Sequence, residues 1–519
     1  MDLTGVKPEV QRYVHGLEAQ NQQLLEELRL LRHKQFGRSS EKLDTETLPL
    51  FDEPVFVSVD EPTALEPIQV PAHERKSPGR KALPDNLERV EILLDISEAD
   101  KRCACGHDLA RIGEETSERL QYLRPQVWVE RHIRPIYACK HCEGSGDEDK
   151  SAVRIAPVVP SIIPHGIASP SLLATVFTDK FCDHLPFYRQ EQRFARLGIS
   201  LSRQDMSHWA IKVETMLRPV LAALETSLLQ SEFIQMDETP VQVMREADKA
   251  DSTKSYMWLA RGGPPGKQVL LYKYHPTRSS RHPAAFLSSF TGYLQTDGYE
   301  AYEKAIAGSG IRHVGCWAHA RRKFDEAAKA SKQTGSAHTA LAKIGKLYAT
   351  ERVLREQLAA DTIDDLTFVT RRTAQVRPIL ADLKTWLDTQ LIRIVPSSLI
   401  GKAISYTIGQ WDKLIRYSDL VSITPDNNAC ENGIRPFVLG RKNWLFSGSP
   451  AGADASCALF TLIETAKANG FEPWAYLYRL FTMLPKTPTN NIESLLPFAS
   501  NPAVSPGSIP LPDPHPGEN

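Results

Sequence analysis

Two acidic residues sit side by side in an otherwise apolar run, FIQMDETPVQV, which spans Phe233 to Val243 and contains Asp237 and Glu238. A further acid, Asp297, stands beside Gly298 in GYLQTDGYEAY, and Glu431 lies in PDNNACENGIRPFVLGRKNW. On a strand, successive side chains point to opposite faces, so Asp237 and Glu238 cannot both face one centre. One is a candidate ligand and the other is solvated or salt-bridged. Met236 and Glu238 share a face, while Gln235, Asp237 and Thr239 share the other; the period does not say which face carries the chemistry. Glu431 has a second reading, because Asn428-Ala-Cys-Glu431 fits a helix capping box with the acid at N3. Asp297 has one too, since TDGYEAY fits a plain turn before a helix.

A second group of residues suits a metal. Four of the eight cysteines fall as Cys103-Ala-Cys105 and Cys139-Lys-His-Cys142. In a reducing compartment this pairing favours metal over disulfides. Four thiolates would hold one tetrahedral Zn²⁺ and close a small zinc-ribbon-like module. The first pair is Cys-x-Cys rather than Cys-x-x-Cys, so His107 or His141 is an alternative ligand. The competing reading is a metal-free hairpin with reduced thiols. Cys182, Cys316, Cys430 and Cys457 are isolated and read as small buried hydrophobes.

The elements that must position these residues are legible as patterns. FIQMDETPVQV, SYMWLAR and QVLLYKY are β-type runs, GYLQTDGYEAY adds a fourth, and RHVGCWAHARRKF reads as a fifth strand leading into a helix. Consecutive strands followed by β/α units give the pattern of a ribonuclease-H-like fold, an antiparallel hairpin sheet extended by parallel strands. Between Phe324 and Pro425 the pattern is helical, and a stretch of that length predicts a subdomain rather than a loop. Upstream, Ser169-Pro170 predicts an N-cap with Pro at N1 and a helix through Phe181. LPFYRQEQRFARLGISLSRQDMSHWAIKV reads as helix, Gly198 turn, Ser202 N-cap and second helix. That is either a helix-turn-helix, with Arg203, Gln204, Ser207 and His208 near the start of its second helix, or a plain helical hairpin. β-type runs at Arg89–Leu94 and Val127–His132 flank the cysteine pairs.

At the N-terminus Val10, Val14, Leu17, Asn21, Leu24, Leu28 and Leu31 alternate at spacings of four and three. This is an a/d seam with Asn21 at an a position, which fixes register and favours a parallel dimer; an amphipathic helix packed on its own chain is the alternative. An acidic, Pro-rich linker follows, containing the basic patch RKSPGRK (Arg75 to Lys81), read as solvated linker or as a DNA contact.

Length and charge set outer bounds. At 519 residues the chain is long enough for several domains, and 41% hydrophobic residues suffice for several cores. No apolar run is long enough to span a bilayer, and charged residues precede any apolar core at the N-terminus, so no signal peptide is expected. The formal net charge of -1 hides segregation: 43–73 and the tail after Lys486 lack Lys and Arg, which concentrates basic residues elsewhere.

Taken together, MDET, YLQTDGYEAY, GCWAHARRKF and ACENGIRPFVLGRKNWLFSGSPAGA resemble the transposases of the insertion sequence 66 family, as do FGRSSEK, RPIYACKHC and DHLPFYRQEQRF upstream. The resemblance extends from about Leu17 to Leu496. It implies a DDE recombinase with Asp237, Asp297 and Glu431 as the acids and Glu238 as a bystander. Two Mg²⁺ or Mn²⁺ ions held by these carboxylates would serve cleavage to a free 3′-OH and its transfer into target DNA. His319 would contact the scissile phosphate or assist proton transfer. Arg321, Arg322 and Lys323 would hold the backbone, with Trp317 as core. Asn432, Arg435, Arg441 and Lys442 are either DNA contacts or a solvated helix face. The alternatives are a ribonuclease-H-like nuclease or resolvase without strand transfer, and a catalytically inactive DNA-binding regulator.

The fold class expected is multidomain α+β. Its parts are a coiled-coil helix (1–42), a linker (43–88), a zinc-ribbon-like module (89–155) and a helical DNA-binding region (156–230). The ribonuclease-H-like catalytic domain follows in two parts (231–325 and 425–484), separated by an all-helical insertion (326–424) and ending in a Pro-rich tail (485–519). Expected partners are double-stranded DNA, at the element ends and the target, a second copy or higher homo-oligomer, and small accessory proteins of the same element, with no membrane. The expected location is the bacterial cytoplasm, at the nucleoid.

Overall fold

The computed structural model describes residues 127–138, 153–331 apart from Asp248, and 335–499, with scattered positions between Val10 and Arg32. The chain divides into two compact units, one of residues 1–57 and 159–519, the other of residues 58–158. In the smaller unit, β1 (Ile136–Ala138) pairs antiparallel with β2 (Val153–Ile155). The Arg134 Nε–H donates to Ala156 O at 2.8 Å. The expected strand at Val127–His132 is not one: this segment is irregular, and Val129 is 92% exposed. It pairs with no strand among the described residues, β1 and β2 pairing only with each other. Cys103, Cys105, Cys139, Cys142, His107, His141, the run Arg89–Leu94 and the patch Arg75–Lys81 lie outside the described residues.

All seven positions of the N-terminal seam, Val10 to Leu31, are helical, and Val10, Leu17, Leu24, Leu28 and Leu31 are exposed. In the rest of this unit, α1 (Pro170–Phe181) begins where its sequence says it should. The Ser169 side chain accepts the Leu172 N–H, and Pro170 occupies the first turn. α2 (Phe187–Ala195) and α3 (Arg203–Leu229) follow, with Gly198 at φ +79° between them and Ser202 capping α3. The connection, residues 196–202, is longer than the turn of about three to four residues in a DNA-binding helix-turn-helix.

Next come β3 (Phe233–Val243), β4 (Lys254–Gly262), β5 (Val269–His275), α4 (Arg281–Phe286), β6 (Tyr293–Gln295), α5 (Glu300–Ile306), β7 (Arg312–Val314) and α6 (Trp317–Ala330). The helices α7 (Ser336–Ala359), α8 (Asp365–Arg393), α9 (Leu399–Gly409) and α10 (Trp411–Leu414) precede α11 (Asn428–Trp444), a short β8 (Phe446–Ser447), α12 (Pro450–Ala468) and α13 (Pro473–Met483).

The larger sheet runs β5-β4-β3-β6-β7, with β8 also on β3. β3, β4 and β5 form an antiparallel meander, and β6 and β7 extend it in parallel. The expected order of a hairpin sheet extended by parallel strands is what the chain adopts. At the β5 edge, the Leu270 and Tyr272 N–H groups donate to the Thr465 and Thr461 hydroxyls of α12, both at 3.0 Å. A helix therefore satisfies donors that an exposed edge would offer to another chain.

One core lies among α1, α3, the meander, α11 and α12, and includes Leu173, Phe177, Val213, Ile234, Leu259 and Phe460. A second core joins β7 and α6 to α7, α8 and α9 through Val314, Trp317, Phe324, Ile344 and Leu383. Arg372 of α8 is fully buried. It pairs with Glu351 at 3.4 Å and donates to the carbonyls of Ile423 at 3.1 Å and Ser418 at 3.2 Å. These bonds tie the helical segment to the stretch that returns towards α11. Among the described residues no helix is long and apolar enough to cross a membrane.

Candidate active site

The parallel pairing of β3 with β6 aligns Gln235 with Gln295. Their side chains meet directly, the Gln235 amide donating to Gln295 Oε1 at 2.8 Å. Asp237 lies two residues further along β3, and Asp297 lies two residues beyond the end of β6. The pairing that ends at Gln235 and Gln295 leaves two acids, separated by sixty positions in sequence, near enough that the Asp297 charge raises the Asp237 carboxyl. β6 ends at Gln295, and the turn beyond it is held by the Tyr299 N–H, which donates to Asp297 Oδ1 at 2.9 Å. The turn reading of TDGYEAY is therefore correct for one oxygen of Asp297.

Glu238 faces the other way. One of its oxygens accepts from Arg278 Nε at 2.7 Å and the other accepts from the Tyr302 hydroxyl. Burial raises its carboxyl above the usual value, and Tyr302 and Arg278 oppose that rise. The face of Met236 and Glu238 also carries an apolar cleft lined by Trp258, Leu271, His282 and Phe286, away from the acid pair.

The third acid enters on α11. That helix lies against the meander because Gly433 has no side chain: a Cβ there would come within 2.9 Å of Leu259 Cδ2 and 3.0 Å of Leu270 Cδ2. The Asn427 amide donates to Met236 O at 3.1 Å, pinning the start of α11 to β3 beside Asp237. The capping-box reading of Glu431 fails here. The N-cap residue is Asn427, not Asn428, its side chain makes no cap bond, and neither Glu431 oxygen has a hydrogen-bond partner.

The electrostatics are those of crowded, desolvated anions. Burial pushes the Asp237 carboxyl well above the usual range, and the charges of Glu238, Glu431 and Asp297 add to it. Burial lifts Glu431 to about 7, with Arg322 opposing and Asp426 and Asp297 contributing. Asp237 Oδ2 and both Glu431 oxygens are buried without a hydrogen-bond partner. Buried carboxylate oxygens left unpaired are costly unless a cation meets them. Hard oxygen donors of this kind suit Mg²⁺ or Mn²⁺, so the residues fit the divalent ion that a DDE set implies.

α6 brings the supporting groups. His319 Nδ1 lies 3.6 Å from Glu431 Oε1, and Arg322 Nη2 lies 3.8 Å from Oε2. Burial and Arg322 lower the His319 imidazole to about 4, so it is neutral near pH 7. Trp317 is core, its Nε1–H donating to Leu414 O at 2.9 Å. Lys323 sits over the Tyr406 ring at 4.7 Å, while Arg321 is exposed. On α11, Asn432 and Lys442 are exposed, and Arg435 and Arg441 are partly buried. On α3, Arg203, Gln204 and His208 are exposed and Ser207 is partly buried; no element brings Arg203 or Gln204 to the acids.

Several residues at the site were not singled out from sequence. Asp426 is half-buried, accepts the Asn428 N–H at 3.1 Å, and adds its charge to Glu431. Tyr406, from the helical segment, closes over the turn after Asp297: a Cβ at Gly298 would lie 2.7 Å from its hydroxyl. The glycine beside Asp297 was the available signal for that close approach. Cys316, read only as a small hydrophobe, is buried beside His319 and Glu431.

Known families match along most of the chain. The model described as "Transposase IS66 family" matches residues 165–455, and "IS66 C-terminal element" matches 461–498. "Transposase C of IS166 homeodomain" matches 23–92, and "zinc-finger binding domain of transposase IS66" matches 100–143, which contains all four paired cysteines. Among relatives, the uncharacterized protein y4jD of Sinorhizobium fredii is 32% identical over 435 residues, covering 80% of this chain and 81% of y4jD. The uncharacterized protein y4qI of the same organism is 30% identical over 496 residues, covering 92% of this chain and 88% of y4qI.

Proposed function

Because the chain belongs to the IS66 transposase family, we propose that it is a DDE transposase. It would bind the terminal inverted repeats of its element, cut there to a free 3′-OH, and join that end to target DNA. The observation that carries the reading is the electrostatic crowding of Asp237 on β3 by Asp297, just past the end of β6, and by Glu431 on α11. The sheet order, an antiparallel meander extended by parallel strands with helices between β7 and α11, supports reading this part as a ribonuclease-H-like scaffold.

Asp237, Asp297 and Glu431 would hold two Mg²⁺ or Mn²⁺ ions, which when bound activate the attacking hydroxyl and stabilise the leaving oxygen in line. The chain's own residues do the rest. The three carboxylates fix the reacting phosphate's position through rigid attachment to β3, the β6 turn and α11. Neutral His319 accepts or relays a proton at Nδ1, close to Glu431. Arg322 supplies positive charge facing the site, where a phosphate oxygen gains negative charge. No covalent protein–DNA intermediate is needed, so no Ser or Tyr nucleophile is assigned.

Arg203, Gln204, Arg321, Asn432, Arg435, Arg441 and Lys442 are assigned to DNA contact on their chemistry. Cys103, Cys105, Cys139 and Cys142 are assigned to a structural Zn²⁺. The exposed N-terminal seam is assigned to pairing with a second copy. The domain limits set out from sequence accompany this reading.

The test is joining of a pre-cleaved 3′-OH end to plasmid DNA with Mg²⁺, using wild type and Asp237→Asn. Joined product from wild type alone, with equal end binding by both, is expected. Cleavage without joining favours the nuclease alternative. Binding with neither reaction favours the regulator.

A further inference from the structure

The first turns of α6 and α11 meet at three donors of different chemistry. Cys316 is the N-cap residue of α6 and His319 lies in its first turn, a Cys-x-x-His spacing that puts both on one side of the helix start. Glu431 comes from the first turn of α11. A sulfur, a ring nitrogen and a carboxylate oxygen from these residues all lie within 4.8 Å of one another. In a tetrahedral zinc site the bond lengths imply donor separations of about 3.3–3.6 Å. The His319 Nδ1 to Glu431 Oε1 distance of 3.6 Å already has that value. The remaining donor separations, all within 4.8 Å, are left to close by side-chain adjustment.

The donors are also available. His319 Nδ1 and both Glu431 oxygens are buried with no hydrogen-bond partner, and the Glu431 side chain is only 3% exposed. The Cys316 sulfur accepts only backbone N–H groups, that of Asn427 at 3.3 Å and that of His319. Mg²⁺ takes oxygen ligands in octahedral geometry and has no use for a thiol or an imidazole, whereas Zn²⁺ is held by this N, S and O set.

We propose that Cys316, His319 and Glu431 form a second, thiophilic cation site, taking Zn²⁺, whose occupancy withdraws Glu431 from the Mg²⁺ set and holds the enzyme inactive. Binding involves no redox change: the thiol releases its proton to solvent, and sulfur, nitrogen and oxygen each donate a lone pair. The site would leave a fourth position for water on the partly exposed His319 side. The zinc binding stands on this geometry alone; the inhibitory consequence rests on the transposase reading.

The experiment uses the full chain, stripped of metal and titrated with Zn²⁺, with bound zinc counted after gel filtration. Cys316→Ser and His319→Ala should each hold one equivalent less than wild type, while Cys139→Ser loses a different equivalent. In the end-cleavage assay with excess Mg²⁺, Zn²⁺ should inhibit wild type, and Cys316→Ser should need roughly tenfold more zinc or beyond for half inhibition, each variant being compared with its own zinc-free rate. Equal zinc content in wild type, Cys316→Ser and His319→Ala, all with native circular dichroism, overturns the site. If the DNA reaction is absent throughout, the transposase reading fails, and zinc stoichiometry still decides the site. If Cys316→Ser does not fold, His319→Ala carries the count.

Discussion

Glu431→Gln should make the metal-free protein more stable, and only at high pH. The Glu431 side chain is 3% exposed, and burial lifts its carboxyl from 4.5 to about 7, Arg322 opposing and Asp426 and Asp297 adding to the rise. An acid whose folded pKa exceeds its unfolded value subtracts stability as pH rises. Below the unfolded value it is neutral in both states and costs nothing; above about 7 it is charged in both and the full penalty applies. At about 1.4 kcal/mol per unit, the rise from 4.5 to about 7 corresponds to about 3 kcal/mol. Glutamine keeps the shape and removes the charge. Denaturant titration in EDTA should therefore show Glu431→Gln more stable by up to about 3 kcal/mol near pH 8 and nearly equal to wild type near pH 4.5. Added Mg²⁺ should narrow the gap, because only the wild type gains a ligand oxygen that meets the ion. A stabilisation of equal size at both pH values, or a loss of stability near pH 8, would refute the buried charge.

Other perturbations separate positioning from packing. Gly298→Ala puts a Cβ 2.7 Å from the Tyr406 hydroxyl and 2.8 Å from its Cε2, so the ring or the Asp297 turn must move. A misplacement of about 1 Å costs roughly 100-fold, which single-turnover cleavage should register; Gly298→Ala with Tyr406→Ala should recover part of it. Arg278→Ala leaves the Glu238 side chain, 1% exposed, without its cation. Stability near pH 8 should fall by about 3 kcal/mol, and Glu238→Gln added to it should restore most of that; an unchanged midpoint for Arg278→Ala rejects the pairing. Leu24→Lys places a charge on a seam residue that is 59% exposed, and light scattering should show loss of the dimer. A monomeric wild type at the same concentration removes the zipper.

What was legible from sequence was local or periodic. Ser169-Pro170 specified a helix start with no outside help, and the cap and first turn are as read. The five β-type runs became β3 to β7, short runs rich in apolar, aromatic and β-branched residues that are buried along most of their length. The choice between Asp237 and Glu238 was not legible. Period two says only that they part; Arg278 and Tyr302, forty and sixty-four residues away, take Glu238 to the other face. Glu431 was ambiguous for the same reason. Its local motif fits a capping box, and only the distant Met236 carbonyl, which engages Asn427, shows that the cap is not made that way. Cys316 had no local signal, since its neighbour Glu431 arrives after the whole helical segment. Val127–His132 shows the converse, a β-type run that forms no strand.

The central claim is that Asp237, Asp297 and Glu431 share hard divalent ions while Glu238 does not. Its most direct test is an anomalous difference map from crystals of the protein grown with Mn²⁺ and a pre-cleaved element end. Manganese peaks bridged by Asp237, Asp297 and Glu431, with Glu238 still paired to Arg278, are expected. Manganese bound through Glu238, or bound elsewhere with Glu431 turned away from the ions, would contradict it.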